Sequence, residues 1–381
     1  MKNNIQSKIG LFLDDSRISG VSIYTKNLAN YLKINLKIPC DILMPKKNST
    51  NFVKQLKQNK ISYKFYNIER ISKNTIIDFL IFIFFKKKKL ISFFEKNLYK
   101  IYIVQGSLQF LNIFILNSLK KDQIIVIHDS YMNLVFKFVL KYIVKKKTKV
   151  IFVSKCSRNF YKNTFLENNK IVVPTGVNFK KKITKKFKKK IFTIGTSCNV
   201  NPDKNILFLL KVAKILKDQN LNVNIKIAGN IYKSQRSYYK ILKEEIKKYK
   251  LNNVEFLGFK KNINYFLKNL DLYCCFSKSE SSPLSVWEAM HHGLPIITTD
   301  VGDLKYHINR GKFGYVIENY NEIIYAQKIK KILCNMDVYN QFSRSAINYS
   351  QKNFNQDKNL KILFNFIFSN SKFLNKESKK K

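Results

Sequence analysis

The sequence predicts an α/β protein of two successive domains, each a mainly parallel sheet covered on both faces by helices. Three observations carry this. Short, continuous apolar runs rich in β-branched residues alternate with helical patterns. Continuous rather than alternating apolar strands belong to parallel sheets buried on both sides. The alternation runs to about residue 178, breaks in a lysine-rich stretch, and restarts near residue 191. Finally, a chain of 381 residues is long for one core. Two such halves joined by a short linker make two Rossmann-like domains facing an interdomain cleft.

The elements follow in order. IGLFL (9–13) reads as the first strand and VSIYTKNLANYLK (21–33) as an amphipathic helix behind it. CDILM, IYIVQ, IIVIH and KVIFV are further strands. The last leads into Ser154, a good helix cap, for the helix SKCSRNFYKNTFL. The segment 179–190 is polar, lysine-rich and without period, and is the linker. Beyond it IFTIG, VNIKIAG, VEFLG, LYCCF and PIITT are strands, and KNILFLLKVAKIL and SYYKILKEEIKKY are helices. FNQDKNLKILFNFIF (354–368) closes the pattern as a last helix. The domains are then 1–178 and 191–350, with a helical segment 351–370 packing back towards the first domain and a frayed basic tail 371–381.

Composition bounds the function. Lys and Arg total 71 against 24 acids, a net charge of +47, with 45% hydrophobic residues. The apolar fraction supports buried cores and excludes a disordered polybasic chain. Lysine is spread along the chain together with much Asn, Ile and Phe. Their codons are AT-rich, so genomic base composition accounts for much of the bias. The charge still attracts anionic lipids and nucleotides. A nucleic-acid binder is a rival reading, but no recognisable reading motif accompanies the charge. The six cysteines form no CxxC pair and read as reduced. The four histidines show no metal-ligand spacing.

The N-terminus lacks the apolar core of a signal peptide, which points to the cytoplasm. IIDFLIFIFF (76–85), followed by Lys86 to Lys89, is about half the roughly 20 residues of a span and carries Asp78. In MNLVFKFVLKYIVKKK (132–147), Lys137, Lys141 and Lys145 recur every four residues on an otherwise apolar helix. Two readings stand: a packed helix with a solvated stripe, or a helix lying in an anionic membrane surface.

Chemistry concentrates in SESSPLSVWEAMHHGLPIITTDVGD (279–303). LYCCFS ends a strand, SESSP is a turn, and LSVWEAMHH is helical until Gly293 stops it. Glu280 therefore lies in the loop at the carboxyl end of a strand, and Glu288 a turn or so into the helix. Ligands bind at that edge of open α/β sheets. The amides of Ser285 and Val286 would face outward at the positive end of the helix dipole, an anion site suited to a diphosphate. Either carboxylate would accept directional bonds from sugar hydroxyls. His291 and His292 end the helix, where cations suit the dipole, and Trp287 is core.

These residues resemble a known family. Glu280-x7-Glu288, with EAM, G-x-P and TDVG behind it, is similar to the signature of the retaining glycosyltransferases of family 4, the group 1 transferases of GT-B fold. PDKN (202–205), IKIAGN, SGVSIYTKNLANYL, IIVIHDSY, KVIFVSKCS and KIVVPTGVN resemble its other segments. The match covers most of the chain and is loose from 35 to 100.

The resemblance implies a nucleoside-diphosphate-sugar donor as co-substrate, transfer with retained anomeric configuration, and neither metal nor cofactor. Glu288 would hold the ribose, Glu280 the donor sugar, and Lys204 the diphosphate. Gly20 would let the loop backbone approach the phosphates, and His128 would meet a sugar hydroxyl or share developing charge. Ser281, Ser282, Ser285 and Val286 would line the donor. The first domain would hold a glycan or lipid-linked acceptor, in envelope polysaccharide or lipopolysaccharide assembly at the inner membrane face.

The sequence departs from the family at three places. Thr196-Ser197-Cys198 stands where an arginine is common, leaving a phosphate contact to Arg17 or another lysine. Ser281-Ser282-Pro283 replaces a glycine-rich run, and Thr175-Gly176-Val177-Asn178 an Asn-Gly-Val-Asp segment. A non-catalytic sugar-nucleotide binder or membrane scaffold, and a GT-B-fold epimerase, are the alternatives.

Overall fold

A computed structural model of the chain describes residues 8–66, 87–106, 109–132, 134–178 and 191–369. The chain divides into two compact units: Met1–Pro174 with Asp357–Lys381, and Thr175–Gln356. The expected linker 179–190, the apolar run 76–85, Lys86 and the tail 371–381 lie outside the described residues.

The first unit contains strands β1 (Ile9–Phe12), β2 (Cys40–Pro45), β3 (Tyr63–Tyr66), β4 (Ile101–Gln105), β5 (Gln123–Ile127), β6 (Lys149–Phe152) and β7 (Lys170–Val172). Its helices are α1 (Gly20–Ile34), α2 (Thr50–Gln58), α3 (Lys87–Lys96), α4 (Phe110–Ser118), α5 (Leu134–Ile143) and α6 (Lys155–Phe160). The strands form one sheet in the order β3-β2-β1-β4-β5-β6-β7, every pair parallel. Successive side chains point to opposite faces. Leu11, Ile124 and Val126 accordingly enter one core, and Phe12, Ile125 and Ile127 the other.

SGVS at the start of α1 is a capping box. Ser19 N donates to Ser22 Oγ at 2.8 Å, and Ser22 N to Ser19 Oγ at 3.3 Å. Ser154 caps α6 as expected, accepting from Ser157 N at 3.0 Å. That helix ends at Phe160, earlier than the pattern predicts, because the chain turns to bring Tyr161 and Phe165 against Phe152.

The second unit contains β8 (Phe192–Ser197), α7 (Ile206–Asp218), β9 (Val223–Ala228), α8 (Arg236–Lys248), β10 (Val254–Gly258), α9 (Ile263–Lys268) and β11 (Leu272–Cys275). These are followed by α10 (Leu284–His291), β12 (Ile296–Thr299), α11 (Leu304–Gly311), β13 (Gly314–Ile317), α12 (Glu322–Leu333) and α13 (Met336–Asn353). The sheet order is β10-β9-β8-β11-β12-β13, again all parallel. Cys274 and Cys275 enter opposite cores, and none of the six cysteines is joined in a disulfide. The last helix, α14 (Gln356–Phe368), places Leu360, Leu363, Phe364, Ile367 and Phe368 in the first unit's core. Among the described residues no helix is long and apolar enough to cross a membrane.

Candidate active site

In the second sheet, β8 lies between β9 and β11. The chain leaves β8 towards one side and β11 towards the other. A crevice therefore opens outside the carboxyl ends of these two strands. After β8 the chain enters a single 3₁₀ turn, Pro202–Lys204, fixed by Asn201, whose side chain accepts from Lys204 N at 3.1 Å. After β11 it runs through Phe276–Pro283 into α10. Lys278 N donates to Asp203 O at 2.7 Å and joins the two loops.

Beside that join, Lys204 Nζ meets Glu280 Oε1 at 2.5 Å, and Ser277 Oγ donates to the same oxygen at 2.8 Å. Burial disfavours the Lys204 ammonium, but the Glu280 carboxylate outweighs it and holds the amine above the usual lysine range. The thiols nearby are inert. Burial pushes Cys198 up to about 12 and Cys275 to about 11, so neither supplies a thiolate at neutral pH.

The loop carrying Glu280 is braced at each following residue. The Ser281 carbonyl accepts from Asp303 N at 3.3 Å. Gly302 packs on that loop with φ 56°, where an added Cβ would lie 2.5 Å from Ser281 O. Only glycine serves there, which gives TDVG its structural meaning. The Ser282 hydroxyl is shared with Thr175 Oγ1 and receives the buried Trp287 Nε1–H, both at 3.0 Å. Ser281 and Ser282 thus shape the loop from within.

At the start of α10 one expectation is corrected. Val286 N donates to Pro283 O at 3.0 Å, so its amide is spent within the first turn rather than directed at a ligand. Ser285 precedes it. The Tyr273 hydroxyl of β11 accepts from Ser197 N at 3.0 Å and ties β11 to the end of β8. Glu288 is half-buried on the second turn. His291 and His292 are both buried, and burial pulls His291 down to about 4. His291 is therefore neutral at physiological pH, and the cation–dipole role expected of it does not apply.

The first unit gathers a second cluster at the carboxyl edge of its sheet. His128 follows β5, and its Nε2 lies 2.8 Å from Oε1 of Gln105, the last residue of β4. Tyr24 of α1 packs edge-on to the ring at 5.0 Å. With Gln105 Oε1 facing it, Nε2 carries the proton and Nδ1 the lone pair. Burial pulls His128 down to about 3 and keeps the ring neutral. The Tyr24 hydroxyl and Gln105 Nε2 are buried without a hydrogen-bond partner. Gly20 opens α1, and an added Cβ there meets nothing within 4 Å, so packing does not demand a glycine. Arg17, the sequence-based substitute for the missing arginine, is held by Asp15, with Nε to Oδ2 at 2.8 Å.

Sequence reasoning missed Ser277, Tyr273, Thr175 and Gln105. A signal existed for two of them: Gln105 and Ser277 are polar residues closing apolar strand runs, where a sheet exposes its ligand edge.

Residues 177–349 match the model of the family Glycosyl transferases group 1. That matched segment lies within the second unit and resembles a group 1 glycosyltransferase domain. A Haemophilus influenzae protein described as an uncharacterized glycosyltransferase is 24% identical over 258 residues, covering 65% of this chain and 70% of its own. Anabaena HepE, solved with UDP and glucose, superposes with TM-score 0.81 at 15% identity, over 95% of this chain and 100% of its own. A Rickettsia africae glycosyltransferase superposes with TM-score 0.77 at 21% identity, over 96% and 100%. The fold is GT-B. The matched segment contains Lys204, Ser277, Glu280 and Glu288, whereas Gly20 and His128 belong to the other unit.

Proposed function

We propose that the chain is a retaining glycosyltransferase that moves a sugar from a nucleoside-diphosphate sugar to a glycan or lipid-linked acceptor in cell-envelope polysaccharide or lipopolysaccharide assembly. The Lys204–Glu280 pair at the junction of β8 and β11 carries the reading. An ammonium held charged by a carboxylate is suited to a diphosphate, and its value grows as the leaving group gains charge. Glu280, already hydrogen-bonded by Ser277, would accept from sugar hydroxyls, and Glu288 from the ribose.

In the proposed step the bond from sugar C1 to the diphosphate oxygen breaks. The acceptor oxygen bonds C1 on the same face, and the acceptor's proton passes to the departing phosphate oxygen. No metal takes part in this reading. A neutral His128 with its lone pair on Nδ1 would accept from a sugar hydroxyl, and Gly20 would admit a phosphate to the loop backbone. One neighbour supports a nucleotide-sugar donor: HepE is solved with UDP and with UDP-glucose. Other neighbours include an enzyme named as a lipopolysaccharide outer core galactosyltransferase.

The test is thermal melting with UDP-, GDP-, ADP- and dTDP-sugars. A donor at a hundred times its Kd adds roughly 2.7 kcal/mol of stability. One nucleotide class should raise Tm in the wild type and leave Glu288→Ala unmoved. NMR of the product from that donor should then show the donor's anomeric configuration. Inversion would exclude the retaining step, and binding without turnover would favour the non-catalytic alternative.

A further inference from the structure

We propose that α5 of the first unit is a docking face for an anionic phospholipid bilayer, independent of the donor chemistry. The helix buries little of itself: Leu140 is its one fully buried side chain. Leu134 is 76% exposed, Phe138 60% and Tyr142 70%, and Tyr131 in the preceding loop is 76% exposed. At 100° per residue, Leu134, Phe138, Lys141 and Tyr142 share an arc of about 100°. The Phe138 and Tyr142 rings lie 4.6 Å apart and form one apolar ridge. A soluble helix turns this sector inward, and a contiguous exposed apolar patch marks an interaction surface.

Charge selects the occupant. No acidic residue occurs between Ser130 and Leu166, a stretch that holds Lys141, Lys145, Lys146 and Lys147. Lys141 stands beside the ridge, and Lys145 is anchored on Asn117 O of α4 at 3.1 Å. Lys137 does not share this face, because it bonds Phe160 O and lies 4.4 Å over that ring. An apolar ridge bordered by lysines, with tyrosine at its flanks, matches an acyl boundary beneath anionic headgroups. A second copy of a chain with net charge +47 would be repelled from it.

A reporter tests this. The chain has one tryptophan, Trp287, and it is buried. Phe138→Trp therefore adds a distinct exposed signal. Vesicles of phosphatidylglycerol and phosphatidylethanolamine should shift its emission to the blue, while phosphatidylcholine vesicles should not. In co-sedimentation, Leu134→Glu with Tyr142→Glu should weaken binding to the anionic vesicles at least about tenfold, since two buried apolar side chains are lost. Far-UV circular dichroism should be unchanged.

Equal sedimentation of wild type and double variant would overturn the proposal, because lysines elsewhere would then hold the lipid. So would unchanged emission from the Phe138→Trp reporter on bound vesicles. Emission already blue in free protein and dependent on protein concentration would assign the face to a second copy instead.

Discussion

At the scale of residues, two titrating groups make opposite predictions. Glu280 raises the Lys204 pKa, so the pair's stabilisation is complete below the ordinary lysine range and is lost as pH climbs through the raised folded value. Lys204→Met should therefore cost about 1–3 kcal/mol at neutral pH, from the carboxylate left with poorer partners. Urea denaturation should show wild type and variant converging at strongly alkaline pH. His128 behaves in the other sense. Its folded value is about 3, while an exposed histidine titrates near 6.5. Below about 6.5 the unfolded chain binds a proton that the folded chain refuses, so stability falls as pH drops towards 3. His128→Gln should remove about 1.4 kcal/mol per pH unit of that loss. Denaturation at a series of acidic pH values measures the difference, with His291 as a shared background.

At the scale of elements, the loop from Phe276 to Pro283 is positioned by contacts remote in sequence. Gly302→Ala should cost at least about 1–2 kcal/mol, since a left-handed backbone is disfavoured for a residue with a Cβ. The added methyl also meets the Ser281 carbonyl, so donor-induced stabilisation should weaken together with Tm. Ser282→Ala should cost about 1–3 kcal/mol by leaving the buried Trp287 N–H without its acceptor. Ser282→Thr keeps the hydroxyl and should recover part of the loss. Thermal melting of the two variants distinguishes the hydrogen bond from the volume of the side chain.

At the scale of the whole molecule, the C-terminal helix matters more than its position suggests. Leu360, Leu363, Phe364, Ile367 and Phe368 are all buried in the first unit's core. At about 2 kcal/mol each, they contribute roughly 10 kcal/mol, comparable to the net stability of a typical domain. Truncation after Asn355 should unfold the first unit, with rapid proteolysis before Pro174. The second unit, Thr175–Gln356, retains its own sheet and should keep a protease-resistant core. A digest resolved by mass spectrometry shows which half survives.

The division between sequence and structure follows from range. The strands were legible because continuous runs such as IIVIH and PIITT depend only on neighbours, and burial on both faces writes itself into every residue. Glu280 and Glu288 were legible for the same reason: strand, turn and helix start follow one another within a few residues. Lys204 lies 76 residues from Glu280, and no local pattern pairs them. The partners of Ser282 and the contact of Gly302 with Ser281 are likewise products of the assembled sheet. In α5 the period grouped Lys137 with Lys141, whereas the structure turns Lys137 onto Phe160. Which face stays uncovered depends on the helices packed beside it. Sequence by itself determined the long buried strands, their parallel α/β order and the edge where chemistry belongs, because these rest on local propensity and periodic burial, whereas the short strands β3, β7 and β13 carry no such run. Only the tertiary structure decided which side chains meet there, because contact across a sheet depends on strand order.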